Sequence, residues 1–402
     1  MVWGGGERKL APYPIMSSID PLDFYDVRAL LTDDERLIQD SVARFVDREV
    51  APIIAECFAA ERFPVELVPR LAELGLFGAT LQGYGCAGLS YTAYGLVCAE
   101  LERGDSSLRS CVSVQSSLVM GCIHAYGTEE QRSRWLPELA RGAKLGCFAL
   151  TEAHGGSDPA RMRTRAQRHG GDWVLDGGKH WITNGALADV AIVWATTDDG
   201  IAAFLVERGT PGFTARVLKN KLSLRASSTA ELALQGVRLP DAARLPEAIG
   251  LKAALRCLDE ARFGIAWGAV GAGRACLGTV LEYTRSRQLF GRSLHQTQLI
   301  QARLADAVRK LTGAQLLAWR LAKLKDQGVA QTAQISLAKW HNVRTALDIA
   351  RDCRDMLGAA GITLDLSPMR HMLNLETVIT YEGTESIHEL IVGRELTGQS
   401  AF

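Results

Sequence analysis

A carboxylate stands in a tight bend near the end of the chain. In VITYEGTESIHELIVGR (residues 378–394) an apolar run breaks at Tyr381-Glu382-Gly383-Thr384, and helical spacing resumes at once. Ser386 with Glu389 three residues later predicts a capping box, and Ile387, Leu390 and Ile391 predict one apolar helix face. Glu382 therefore sits between an aromatic ring and a glycine, where backbone can come close to a ligand. Such a glutamate is either a solvated loop charge or a base held against a substrate. A second stretch, CFALTEAHGGSDPA (147–160), combines Thr151, Gly155, Gly156 and Ser157 in a turn that offers N–H and hydroxyl donors to a polar ring edge or a phosphate. HWITNG (180–185) predicts Trp181 and Thr183 on one side of a strand, an aromatic face beside a hydroxyl. RSRQLFGR (285–292), followed by QTQLIQ, supplies Arg287 and a glutamine. Taken singly, these also read as a β-turn, a core tryptophan and a solvated arginine.

The elements that must carry these residues change texture twice. From Leu31 to about Phe148 the spacing is helical. LTDDERLIQDSVARFVDREV opens with a Thr32/Glu35 capping box and predicts Leu37, Ile38, Val42, Phe45 and Val46 on one face. PVELVPRLAELGLFG, SYTAYGLVCAELERGD and EEQRSRWLPELARG continue as helices. Between about Thr151 and Leu245 the runs are β-rich, with turns expected at Gly177-Gly178 and, as a hairpin, at Asp199-Gly200. From about Gly250 the pattern is helical again, with one long helix through Leu304 to Leu324 and another from Ile335 to Leu357. GYGCAG (83–88) satisfies G-x-G-x-x-G, but no βαβ frame surrounds it. The acids at about the right distance, Glu102 and Asp105, lie on or just past a helix.

Composition sets further bounds. Lysine plus arginine equals aspartate plus glutamate, 45 each in 402 residues, which gives no electrostatic grip on nucleic acid or anionic lipid. The nine cysteines are scattered without a CxxC, which reads as reduced, mostly buried thiols of a cytoplasmic protein. No metal-like pairing with histidine is evident, and no window is expected to reach the length of a membrane span. Residues 1–26 read as a flexible N-terminal tail.

LTEAHGGSDPA, KHWITNG, SRQLFG and YEGT, in that order, resemble the acyl-CoA dehydrogenases. Longer runs, among them GYGCAGLSYTAYGLVCAELERGDSSLRSCVSVQSSLVM, ARFGIAWG and MLNLETVITYEGTESIHELIVGRELTG, are similar to the glutaryl-CoA branch of that family. The resemblance runs from about residue 20 to the C-terminus. It implies an α+β fold: an N-terminal helical domain (27–147), a middle β domain (148–246) and a C-terminal helical bundle (247–402), with FAD bound between them.

The resemblance makes Glu382 the base that removes the α-proton of an acyl thioester while the flavin N5 takes the β-hydrogen as hydride. The enolate oxygen is then held by the Glu382 N–H and a flavin ribityl hydroxyl. Arg109 falls on the position that binds the distal carboxylate of a glutaryl chain, with Ser110, Ser113 and Glu102 nearby. An arginine fork suits a carboxylate and would be costly to bury without one. After α,β-dehydrogenation, the γ-carboxylate of glutaconyl-CoA is vinylogous to the thioester. Loss of CO2 then gives a delocalised dienolate, and reprotonation at C4 gives crotonyl-CoA; Tyr381 and Glu102 match residues that accompany this step. Some members stop at glutaconyl-CoA. A non-decarboxylating dehydrogenase, or one for another dicarboxylic thioester, carrier-protein-bound ones included, therefore stays open. A non-enzymatic flavoprotein of the same fold is disfavoured by the retained Glu382 and Arg109.

Further positions carry over from the resemblance. Phe148, Leu150, Thr151, Gly156, Ser157, Trp181, Ile182 and Thr183 are expected along the flavin. Arg287, Gln298, Asp355 and Gly358 are expected to reach FAD across a subunit interface, and Thr384 and Phe402 to contact it. Asp259 and Arg262 line the pantetheine tunnel, Ser157 touches both ligands, and Tyr381 and Gly383 flank the substrate. A site completed by a neighbour implies a homotetramer, and the family's usual electron acceptor is electron-transfer flavoprotein. Three positions depart from the usual pattern: Ala359 replaces a glycine, Leu289 a polar residue, and Leu108 an aromatic.

Overall fold

A computed structural model describes residues 19–400. Phe402 lies outside the described residues, as does most of the segment read as a tail. Among the described residues seven α-helices come first: α1 (Asp33–Phe45), α2 (Ile54–Ala59), α3 (Val68–Glu73), α4 (Tyr91–Gly104), α5 (Ser106–Ser113), α6 (Gly121–Tyr126) and α7 (Glu129–Ala140). The predicted capping box opens α1: Glu35 N–H donates to Thr32 Oγ1 at 3.2 Å and Thr32 N–H to Glu35 Oε2 at 2.9 Å. Val42 and Phe45 are buried as expected, but Leu37 is 61% exposed. Five residues from Val42, it points well away from the face that Ile38, Val42 and Phe45 share at i, i+4 and i+7. GYGCAG forms a loop with all three glycines at positive φ, with no strand before it.

The middle of the chain is one seven-stranded sheet: β1 (Gly146–Ala149), β2 (Arg165–His169), β3 (Asp172–Thr183), β4 (Val190–Thr197), β5 (Gly200–Glu207), β6 (Phe213–Val217) and β7 (Thr229–Pro240). The strand order is β1-β4-β2-β3-β7-β6, with β5 paired to β4. The expected hairpin joins β4 to β5, Thr197 pairing with Gly200 across Asp198-Asp199. Gly177-Gly178, by contrast, is no turn. It lies inside β3, where the register to β7 shifts between Leu175 and Gly177. A Cβ at Gly177 would stand 2.6 Å from Thr164 Oγ1, so these glycines serve a close strand approach.

The C-terminal bundle comprises α8 (Gly250–Ser286), α9 (Gln298–Asp326), α10 (Thr332–Met356), α11 (Ser367–Val378) and α12 (Glu385–Thr397), with a small hairpin of β8 (Gln288–Leu289) and β9 (Arg292–Ser293) between α8 and α9. Contrary to expectation, α8 is long and apolar enough to span a membrane, but 72% of its most apolar window is buried within the chain. It is the central core helix. Its side facing α4 carries Gly264, Gly268 and Gly271; a Cβ at Gly271 would lie 1.8 Å from the Ala99 carbonyl oxygen, so the two backbones nearly touch. All nine cysteines are free, and all but Cys86 are buried.

Candidate active site

The chain leaves α11 at Val378 and turns sharply before α12. Glu382 has φ +54° and Gly383 φ +99°, two successive residues in the region that L side chains rarely adopt. The helix after the bend is capped by Thr384, whose side chain accepts from Ile387 N–H, not by Ser386 as the Ser386/Glu389 spacing suggested. Thr384 already has extended dihedrals directly after the bend, so the helix starts two residues early. Of the α12 residues only His388 is buried, and Leu390 is 37% exposed; the expected apolar face is not packed.

Two cations from other helices hold this bend. Arg262 on α8 donates from Nε to the Glu382 carbonyl at 2.8 Å and from Nη1 to Asp259 Oδ1 at 2.9 Å. Lys339 on α10 donates from Nζ to the carbonyls of Gly383 (2.8 Å), Tyr381 (3.1 Å) and Ile379 (3.4 Å). A Cβ at Gly383 would lie 2.9 Å from the His388 ring, so only glycine fits between bend and helix. The Glu382 Oε2 is buried and unpartnered. Burial raises its pKa, while Arg109, Arg262 and Lys339 oppose the rise. A desolvated carboxylate with a free oxygen is a stronger base than one in water.

Arg109, on α5, is wholly buried beside this bend. Its Nε donates to Glu102 Oε2 at 2.6 Å, both side chains being 0% exposed, and Ser106 Oγ donates to the other Glu102 oxygen at 2.8 Å. Arg109 Nη2 donates to the Tyr381 hydroxyl, and Nη1 is buried without a partner, as is Ser113 Oγ. Burial opposes the guanidinium charge, but Glu102 and Tyr381 more than offset it, so Arg109 stays charged. Glu102 has room only because position 268 is glycine: a Cβ there would be 2.0 Å from Glu102 Oε2 and 3.1 Å from Arg109 Nε. Ser110 is buried on the same helix.

Asp105 caps α5 and ties it to the helix that leads to Glu382. Its Oδ1 accepts from Ser107 N–H at 2.8 Å, and its Oδ2 accepts from Arg370 Nη1 and from Asn374 Nδ2 on α11. Asn374 Oδ1 in turn accepts from Leu224 N–H at 2.9 Å, in the loop entering β7. Thr229 of β7 pairs with Thr183 of β3. These bonds tie the start of α5, α11 and the loop entering β7 together.

On the sheet, Lys179 and Glu152 form a buried pair at 2.8 Å, and Lys179 Nζ also donates to the Leu150 carbonyl at 3.0 Å. Glu152 accepts from Arg163 and Thr164 N–H at 2.7 and 2.9 Å. Burial disfavours its charge, yet these donors hold its pKa down at about 2. His180 N–H donates to the Thr151 carbonyl at 2.9 Å, so the donor-rich turn is fixed beside Trp181. Trp181 has φ +62°, just before Ile182 at a register shift, and is 59% exposed. Ile182, Phe148 and Leu150 are buried; Thr183 is half-buried. At Gly155 and Gly156 an added Cβ meets nothing closer than 3.6 and 4.0 Å, and Ser157 is exposed. An uncovered indole beside an open glycine turn fits a flat aromatic cofactor with polar edges.

The remaining expected cofactor residues are not gathered here. Arg287 and Gln298 are exposed at the end of α8 and the start of α9. Asp355 is engaged by Arg303 at 2.8 Å and Arg354 at 3.1 Å, and Gly358 has φ +60°. Among the described residues, none of them bonds to the Glu382 or Trp181 groups. Sequence reasoning passed over Lys339, Asp105, Arg370, Asn374, Gly268 and the Lys179–Glu152 pair. The Gly264/Gly268/Gly271 spacing was the one legible signal among them, marking a face of close helix contact.

Comparison with known proteins follows the same division. The chain matches the acyl-CoA dehydrogenase N-terminal domain over residues 32–143, the middle domain over 147–237 and the C-terminal domain over 249–397. A glutaryl-CoA dehydrogenase from Mycobacterium smegmatis, solved in complex with FADH2, superposes with a TM-score of 0.95 at 54% identity, covering 96% of this chain and 100% of that one. The mitochondrial short-chain specific acyl-CoA dehydrogenase of Bos taurus is 37% identical over 91% of this chain and 90% of its own. A chain from a structure described as the electron transferring flavoprotein of Acidaminococcus fermentans has a TM-score of 0.89 at 32% identity, over 92% of this chain and 99% of that one. With its three domains, its desolvated glutamate and the exposed Trp181 of β3, the chain belongs to the acyl-CoA dehydrogenase family and is an FAD-dependent acyl-CoA dehydrogenase.

Proposed function

We propose that the substrate is glutaryl-CoA and that its oxidation is followed by decarboxylation to crotonyl-CoA and CO2. The observation that carries this reading is Arg109, a buried guanidinium whose Nη1 has no acceptor. An unmade buried hydrogen bond costs about 1–3 kcal/mol, and a distal carboxylate would supply it, with Ser113 Oγ as a second donor. An acyl chain without that carboxylate leaves both groups unsatisfied. The similarity to a glutaryl-CoA dehydrogenase supports the same reading.

When bound, FAD supplies the acceptor for the β-hydrogen. Trp181 and Thr183 of β3 and the 151–157 turn would hold it, with Thr384 at the cap of α12. Glu382 takes the α-proton through its free Oε2, and Arg262 and Lys339 hold the bend so that the carboxylate does not swing away. Arg109 fixes the far end of the chain. In the second step the C4–CO2 bond breaks, its electron pair enters the dienolate, and the proton held by Glu382 returns to C4. Electron-transfer flavoprotein is the proposed acceptor. A homotetramer is proposed to complete the FAD site with Arg287, Gln298 and Asp355, consistent with Phe290 and Leu299 standing 98% and 81% exposed nearby. A cytoplasmic location fits the free thiols.

The test is anaerobic mixing with glutaryl-CoA, following flavin absorbance and then the product mass. Bleaching with crotonyl-CoA is expected. Bleaching with glutaconyl-CoA alone would remove the decarboxylation step, and no bleaching by glutaryl-CoA would remove the substrate assignment.

A further inference from the structure

Lys339 differs from Lys179, the other buried lysine among the described residues. Lys179 is compensated by a carboxylate at 2.8 Å. Lys339, only 1% exposed, makes no ion pair among the described residues and spends its three protons on the carbonyls of residues 379, 381 and 383. Those carbonyls bracket Glu382, at the point where two successive residues have positive φ. For Glu382, which is not a glycine, such backbone persists only where its surroundings over-determine it. The charged and titratable groups facing Lys339 come from every neighbouring element: Glu382 from the bend, Arg262 from α8, Arg109 from α5, and Glu385 and His388 from α12. Glu385 is occupied elsewhere, by Arg344 and by Trp340 Nε1 at 3.0 Å. His388 is held neutral, its pKa lowered to about 3 mainly by burial. Glu382, whose Oε2 has no partner, is thus the uncommitted carboxylate of this set.

We propose that Lys339 is the positioning residue of the base: one ammonium that closes the Tyr-Glu-Gly bend on three carbonyls and serves as the counter-charge controlling the protonation of Glu382. The inference rests on Glu382 being the base. Burial, helped by Arg262 and Arg109, brings Lys339 down to about 7 against the upward pull of Glu382, which is the reciprocal sign expected of such a pair. Removing the ammonium removes one of three cations that keep Glu382 ionised, so Glu382 protonates at higher pH.

The experiment uses the FAD-loaded enzyme and two variants, Lys339→Met and Lys339→Gln, with Glu382→Gln alongside. Glutaryl-CoA and butyryl-CoA are both tried, and whichever bleaches the wild-type flavin is used for stopped-flow reduction across pH. The rising limb of the profile is expected to move alkaline in both variants. At a fixed pH on that limb, reduction slows about tenfold, the effect of one pH unit, and recovers at higher pH. An equal loss at every pH, or loss of FAD from both variants, would make Lys339 a folding residue and overturn the inference. Glu382→Gln separates the two ideas. If it reduces flavin normally, the base assignment fails and this inference with it. If it is dead while the Lys339 profiles are unshifted, only the Lys339 inference fails.

Discussion

Replacing Arg109 by leucine tests the substrate assignment, provided that stability and recognition are separated. In the single variant Glu102 stays 0% exposed and loses its partner at 2.6 Å, keeping only Ser106 Oγ. Breaking a buried pair in this way costs about 3–5 kcal/mol, whereas replacing both partners by apolar groups is often neutral or stabilising. Arg109→Leu should therefore unfold at clearly lower denaturant, and Arg109→Leu/Glu102→Leu should recover most of that loss. Recognition should not recover. Loss of a buried, charged hydrogen bond to a carboxylate is worth about 3 kcal/mol, or ~100-fold in kcat/KM. The double variant should lose that for glutaryl-CoA while butyryl-CoA, which has no distal carboxylate, is spared. The assay is urea unfolding beside steady-state kinetics on the two thioesters. Equal losses on both thioesters in the stable double variant would refute the role of Arg109.

Three further outcomes are expected. Glu382→Gln should bind FAD and abolish flavin reduction. It should also be more stable than wild type at neutral pH, because a carboxyl whose folded pKa is raised contributes stability below its unfolded pKa and loses it as pH rises through the folded value; a less stable variant in chemical denaturation would contradict this. Gly268→Ala puts a methyl 2.0 Å from Glu102 Oε2, and the overpacking of about 1–3 kcal/mol should raise KM for glutaryl-CoA more than for butyryl-CoA; unchanged kinetics would remove Gly268 from the pocket. Lys179→Met leaves Glu152 buried without its ammonium, so FAD content measured by absorbance should fall. In the wild type, Glu152 stabilises the fold above its unfolded pKa, and this stability is lost as pH falls from about 4.5 toward 2, so the variant should show a weaker acid dependence in that window.

Much of this protein is legible in its sequence. The Thr32/Glu35 box, the β4–β5 hairpin and the long C-terminal helices follow from local spacing, because capping, turn chemistry and helical period act within a few residues. The bend at Tyr381-Glu382-Gly383 was visible for the same reason. Where two local signals competed, spacing misled: Ser386 offered a capping box, but Thr384 was already extended, and Gly177-Gly178 looked like a turn while serving a close contact with Thr164.

What only the tertiary structure decided is the charge state and the geometry of the groups in that bend. Glu382 is desolvated because α5, α8, α10 and α12 close around it, and nothing within its own stretch says so. Arg109 meets Glu102 seven residues away, Tyr381 272 residues away and the empty space of Gly268 on α8. Lys339 reaches three carbonyls about forty residues downstream. Burial and ion pairing are sums over neighbours drawn from the whole chain, so a sequence window can name the titratable residue but not the field in which it titrates.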